Sequence, residues 1–131
     1  MTTFQLSTGE IRLNGVLLGT GYSGAEGFIN DPGATGLVGQ GPIPIGDWNI
    51  QGPVNSLETG PFSLPLVAAS GTETFGRSLF LIHGGLAGEP VDSPTITPGG
   101  RRTASHGCLI AGPDIRHQIA NDSDHLLRVV A

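Results

Sequence analysis

Short apolar runs alternate with glycine- and proline-rich stretches along the whole chain, a pattern that predicts strands joined by turns. Phe4 and Leu6 alternate with polar neighbours in the first run. In "EIRLNGVLLGTGYS", residues 10–23, an Asn14–Gly15 pair separates two apolar runs. Both residues accept the positive φ that a tight hairpin turn demands, so this stretch predicts a hairpin. Residues 24–41 are rich in glycine and small side chains, carry the turn sequence "NDPG", and predict a long irregular connection.

Pro42 and Pro44 in "GPIPIGDWNI", residues 41–50, exclude helix and cannot donate to a ladder. The segment reads as an extended approach that turns at Gly46–Asp47, with a strand beginning at Trp48 and Ile50. "FSLPLVAA", residues 62–69, and "SLFLIH", residues 78–83, are two further strands, the second apolar enough to be central. Residues 84–102 read as loop. One helix is expected, beginning near Pro113, whose ring suits a first helical turn. Ile115 and Ile119 fall four apart on one face of it, and Asp114 sits at the positive end of its dipole. "HLLRVV", residues 125–130, closes the chain as a strand.

The totals narrow the class. A chain of 131 residues with 37% hydrophobic residues suits one domain, residues 1–131, with a single core. The 22 glycines and 10 prolines show no repeat period, which excludes collagen-like order and supports many tight turns. A net charge of −5 argues against a nucleic-acid partner. No apolar run reaches the roughly 18 residues that a membrane span needs. "MTTFQLSTGE" lacks the basic and apolar regions of a secretory signal. Synthesis in the cytoplasm is therefore expected, with any action outside it depending on a dedicated export route.

The chemistry concentrates in "TASHGCLIAG", residues 103–112, which holds the single cysteine of the chain. A cysteine attacks as its thiolate, and a neighbouring imidazole can take its proton and pass it to a leaving amine. His106 lies two residues from Cys108, so an extended backbone would turn both side chains the same way. His83 ends an apolar strand and opens into Gly84–Gly85. His117 and His125 read as surface or half-buried. Gly107 would let backbone amides approach an oxyanion, and Ser105 could fix an imidazole tautomer. All six basic residues are arginine. Arg101 and Arg102 stand just ahead of the cysteine, where they could grip a carboxylate or simply remain solvated.

Taken singly these features leave three readings open. One is a cysteine acyl-transfer enzyme. Another is a zinc site built from His83, His106 and Cys108. The third is a non-catalytic cell-wall, secretion or phage module with Cys108 buried as a small hydrophobe. A papain-like hydrolase is disfavoured, because its cysteine normally precedes its histidine.

"SHGCL" at 105–109, after a strand ending "IHGG" at 82–85, resembles the signature of L,D-transpeptidases of the YkuD type. "GPIPIGDWNI" is similar to an earlier segment of those enzymes. The "GTGYSGAEGFINDP" stretch and the small size resemble the compact effectors delivered by type VI secretion. The resemblance implies a mostly β fold: a compact YkuD-like sandwich or barrel-like sheet with one short helix after the catalytic cysteine. It also implies attack by Cys108 on the meso-diaminopimelate carbonyl of a peptidoglycan tetrapeptide stem, with expulsion of D-alanine. His83 matches the general base, His106 and Ser105 match supporting residues, and Gly107 with the Cys108 amide matches the oxyanion-binding backbone. Gly84 and the arginines 101 and 102 would contact substrate.

No metal or cofactor is implied. A cognate immunity protein, a secretion component and action in the periplasm of a target bacterium are. Glu26, Asp31 and the 24–41 loop would then form a lid or an inhibitor's surface. Two departures stand out: 21 residues separate His83 from Ser105, and Ile110 occupies a place usually polar in the family.

Overall fold

A computed structural model describes residues 1–85 and 105–131. The described residues form ten strands and one α-helix: β1 (Thr2–Gln5), β2 (Glu10–Leu13), β3 (Val16–Thr20), β4 (Tyr22–Ser23), β5 (Gly46–Ile50), β6 (Val54–Ser56), β7 (Gly60–Ala68), β8 (Phe80–His83), β9 (Leu109–Ile110), α1 (Pro113–Asn121) and β10 (Leu126–Val130). The strands make one nearly closed, barrel-like sheet in the order β3-β2-β1-β10-β5-β7-β8-β9-β4, with β6 hydrogen-bonded to β7. The mostly β expectation with one short helix after Cys108 holds.

Alternation along each strand places the core. Phe4 of β1, Leu127 and Val129 of β10, Trp48 and Ile50 of β5, and Phe80 and Ile82 of β8 all point into one buried cluster. α1 closes that cluster. Pro113 begins it, Asp114 occupies its first turn, and Ile115 and Ile119 are buried against the sheet. Each such isoleucine contributes roughly 1.5–3 kcal/mol through the apolar surface it removes from water. The Trp48 and Phe80 rings meet edge to face at 5.0 Å, and the indole N–H donates to the Pro44 carbonyl at 3.1 Å.

The hairpin predicted at Asn14–Gly15 forms between β2 and β3, with φ of 51° and 86° at its two turn residues. "NDPG" becomes a 3-10 turn, Pro32–Ala34, capped by the Asp31 carboxylate on the Gly33 amide. Other boundaries differ from expectation. Gly46–Asp47 is not a turn but the start of β5, because Asp47 and Gly46 pair with Arg128 and Val129 of β10. "SLFLIH" enters the sheet only at Phe80: Leu79 has φ +65° and is 87% exposed. His125 precedes β10 and is exposed, and His117 is exposed on α1. Most of the expected 84–102 loop, and with it Arg101 and Arg102, lies outside the described residues.

Candidate active site

β8 and β9 run parallel, with Ile82 opposite Leu109 and His83 opposite Ile110. Side chains alternate between the two faces of a sheet. Phe80, Ile82, Leu109 and Ala111 therefore belong to the main core, while Ile110 and Cys108 belong to the other face. By the same alternation His83 shares that other face with Cys108. There Cys108 packs beside Tyr22, Ile29 and Ile110. Sequence spacing alone does not reveal this arrangement, because it depends on the parallel register of two strands 25 residues apart.

A pocket of about 620 Å³ opens on that face, with His83, His106, Gly107 and Cys108 all in its lining. Val38, Gly39, Ser56, Glu58, Thr59 and residues 76–81 complete the lining. His83 is 6% exposed, and its Nδ1 lies 2.8 Å from the Gly84 carbonyl oxygen. A carbonyl only accepts, so Nδ1 carries the proton in this bond and Nε2 becomes the nitrogen able to take one. Gly84 thus serves the imidazole through its own backbone oxygen.

Burial pushes the Cys108 thiol up from its ordinary range, and a backbone hydrogen bond from Leu81 opposes this more weakly. The sulfhydryl faces the Leu79 carbonyl at 3.8 Å. Burial thus favours the protonated thiol, and a thiolate at this position would call for a base to remove the proton. Leu79 adopts a left-handed φ that bulky residues avoid, as does Phe75 at +56°. Strain of this kind costs roughly 1–3 kcal/mol per residue and gathers at functional sites.

Residues 106–108 form a bend, with Gly107 at φ +144°, so the same-side placement that an extended backbone would give His106 and Cys108 does not apply. His106 is exposed at the pocket's lining, and its Nδ1 meets the Gly39 carbonyl at 3.1 Å. Ser105 is buried and its hydroxyl is fully occupied by backbone. It donates to the Cys108 carbonyl at 2.6 Å and accepts from the amides of Gly24 at 3.0 Å and Gly107 at 3.1 Å. It shapes the cysteine turn; its bonds go to backbone atoms and not to an imidazole. The Gly107 amide is likewise taken up by that hydroxyl, which leaves the Cys108 amide as the member of the expected oxyanion pair not claimed by it.

Residues that spacing did not flag complete the turn. Ser23 of β4 donates to the Gly107 carbonyl at 2.9 Å and accepts from the Ile43 amide at 2.8 Å. Buried Asn30 accepts from the Ser23 amide at 2.9 Å. Arg77, 7% exposed, gives hydrogen bonds to the carbonyls of Thr35, Gly41, Pro42 and His106, and its guanidinium lies 5.1 Å from the Phe80 ring centroid. The one signal for it was an arginine after a glycine just ahead of an apolar strand. Ile110 is fully buried beside Tyr22 and Ile29, so no polar group occupies that place. Asp31 is used as a cap, while the 24–41 segment reaches the pocket through Val38 and Gly39.

Among the described residues no three His, Cys, Asp or Glu side chains gather closely enough to hold a metal ion. His83, His106 and Cys108 therefore do not form the three-ligand zinc set. No helix among the described residues is long and apolar enough to cross a membrane. No protein-family model matches the chain, and no curated protein matches its sequence.

Proposed function

We propose that the protein is a cysteine acyl-transfer enzyme of the L,D-transpeptidase kind, acting on peptidoglycan tetrapeptide stems. The observation that carries this reading is that His83, at the end of β8, and Cys108, just ahead of the β9 strand paired with it, line the same pocket. The "IHGG" and "SHGC" motifs supply the substrate class by resemblance.

In the reaction, His83 Nε2 takes the Cys108 proton and the sulfur attacks the meso-diaminopimelate carbonyl carbon. The bond from that carbon to the D-alanine nitrogen breaks, and the imidazolium returns its proton to the departing amine. The thioester is resolved by water, giving L,D-carboxypeptidase activity, or by the amine of another D-amino acid, giving exchange. A raised thiol suits a site where deprotonation accompanies attack. The small size and the resemblance extend the reading to an antibacterial effector that acts in a target cell's periplasm. Its partners would be an immunity protein and a component of the secretion machine.

Incubating purified protein with disaccharide-tetrapeptide, with and without a free D-amino acid, tests this by mass spectrometry. Loss of the terminal D-alanine mass, or its replacement, is expected for the wild type and absent for Cys108→Ala. Equal activity in that variant refutes the proposal.

A further inference from the structure

Arg77 is a buried cation whose hydrogen bonds all go to carbonyl oxygens, and among the described residues no carboxylate pairs with it. Burial lowers its affinity for its proton, as expected for a guanidinium taken out of water without a counter-charge. An apolar side chain of the same bulk would avoid that cost. The bonds it makes are also unusual in reach. Nη1 donates to Thr35 and Pro42 (2.8 Å to the latter), and Nη2 donates to Gly41 at 2.7 Å and His106 at 3.4 Å. One planar group thereby ties the 35–42 segment to the turn that carries Cys108.

The third tie is to β8. The guanidinium lies against Phe80, which begins the strand that His83 ends. Gly107 fits beneath both: a methyl group there would come within 2.7 Å of Nη2 and 2.9 Å of Phe80 Cε1. The glycine of the cysteine turn and the guanidinium are thus shaped to one another. Cys108 and His83 belong to different chain segments, joined by the β8–β9 ladder from Leu109 onward and, ahead of it, by the guanidinium that holds the 105–108 turn. Resting on the function proposed above, we infer that Arg77 is a positioning residue: it sets the 105–108 turn against β8 so that the Cys108 sulfur is held where His83 can deprotonate it.

The test compares wild type, Arg77→Lys and Arg77→Met. Lysine keeps a charge but cannot reach four carbonyls from a fixed plane, and methionine keeps bulk alone. Circular dichroism and thermal midpoints establish folding. The rate of Cys108 alkylation by iodoacetamide is then followed from pH 6 to pH 10, and kcat and KM are measured on disaccharide-tetrapeptide. Both folded variants are expected to show an alkylation profile displaced to higher pH. They are also expected to lose at least tenfold in kcat with KM changed less than threefold.

An unchanged alkylation profile in a folded variant overturns the inference, as does a rise in KM at unchanged kcat. If methionine does not fold, lysine decides the matter. If the wild type fails to process the tetrapeptide, the functional reading falls but the alkylation profile still judges Arg77.

Discussion

The Ser105 hydroxyl donates to the Cys108 carbonyl at 2.6 Å and accepts two backbone amides at the same time. Replacing it with alanine leaves the Gly24 and Gly107 amides buried without a partner. Each such group costs about 1–3 kcal/mol, so Ser105→Ala is expected to lose roughly 2–4 kcal/mol of stability in urea unfolding. Threonine, which keeps the hydroxyl, should recover much of this if its methyl is accommodated. A loss below about 0.5 kcal/mol in the alanine variant would contradict a structural role for this hydroxyl.

Cys108 gives a stability prediction with a definite sign. Its folded-state affinity for a proton is raised by burial. Above an unfolded thiol value of about 8.5, the unfolded chain has lost its proton while the folded one still holds it. Proton release then favours unfolding. The thiol's contribution is complete below that pH and disappears as pH rises through the folded value. Unfolding measured from pH 7 to 10 should show wild-type stability falling more steeply than that of Cys108→Ala, and parallel curves would show that no such shift exists.

Gly107→Ala should destabilise the protein and disturb the cysteine turn. The new methyl would meet Arg77 and Phe80, at a φ of +144° that alanine disfavours. Overpacking and strain together cost roughly 2–5 kcal/mol. A lowered thermal midpoint, with loss of thiol reactivity in whatever remains folded, is the expected result.

His83→Gln preserves much of the ring's bulk and can still donate to the Gly84 carbonyl, but it cannot take a proton. A roughly 10²–10⁴-fold loss of kcat on tetrapeptide is expected, the range for removing a general base. Folding should be little changed. Activity within threefold of wild type would transfer the role of base to another group.

Much of the sheet was legible because its strands alternate and its turns use residues with distinctive backbone freedom. Asn14–Gly15 announced the hairpin, and Ile115 with Ile119 announced the helix face. Boundaries failed where tertiary pairing decided them. Asp47 enters β5 because Arg128 lies opposite, its guanidinium 2.8 Å from the carboxylate, and that partner lies 81 residues away. Leu79 leaves β8 because of a backbone twist that no apolar pattern records. At the site, His83 and Cys108 stood out by type and context. Ser23, Asn30 and Arg77 did not, since they act by binding backbone carbonyls and amides that carry no mark in the sequence.

The insertion of β10 between β1 and β5 has a consequence for how the molecule comes into being. It is parallel to the first strand and antiparallel to the other, so residues 126–130 must leave the ribosome before the sheet can join. Until then two strand flanks stand open, each a template for pairing with a neighbouring nascent chain. Deleting residues 126–130 should therefore yield aggregates and not a smaller native protein.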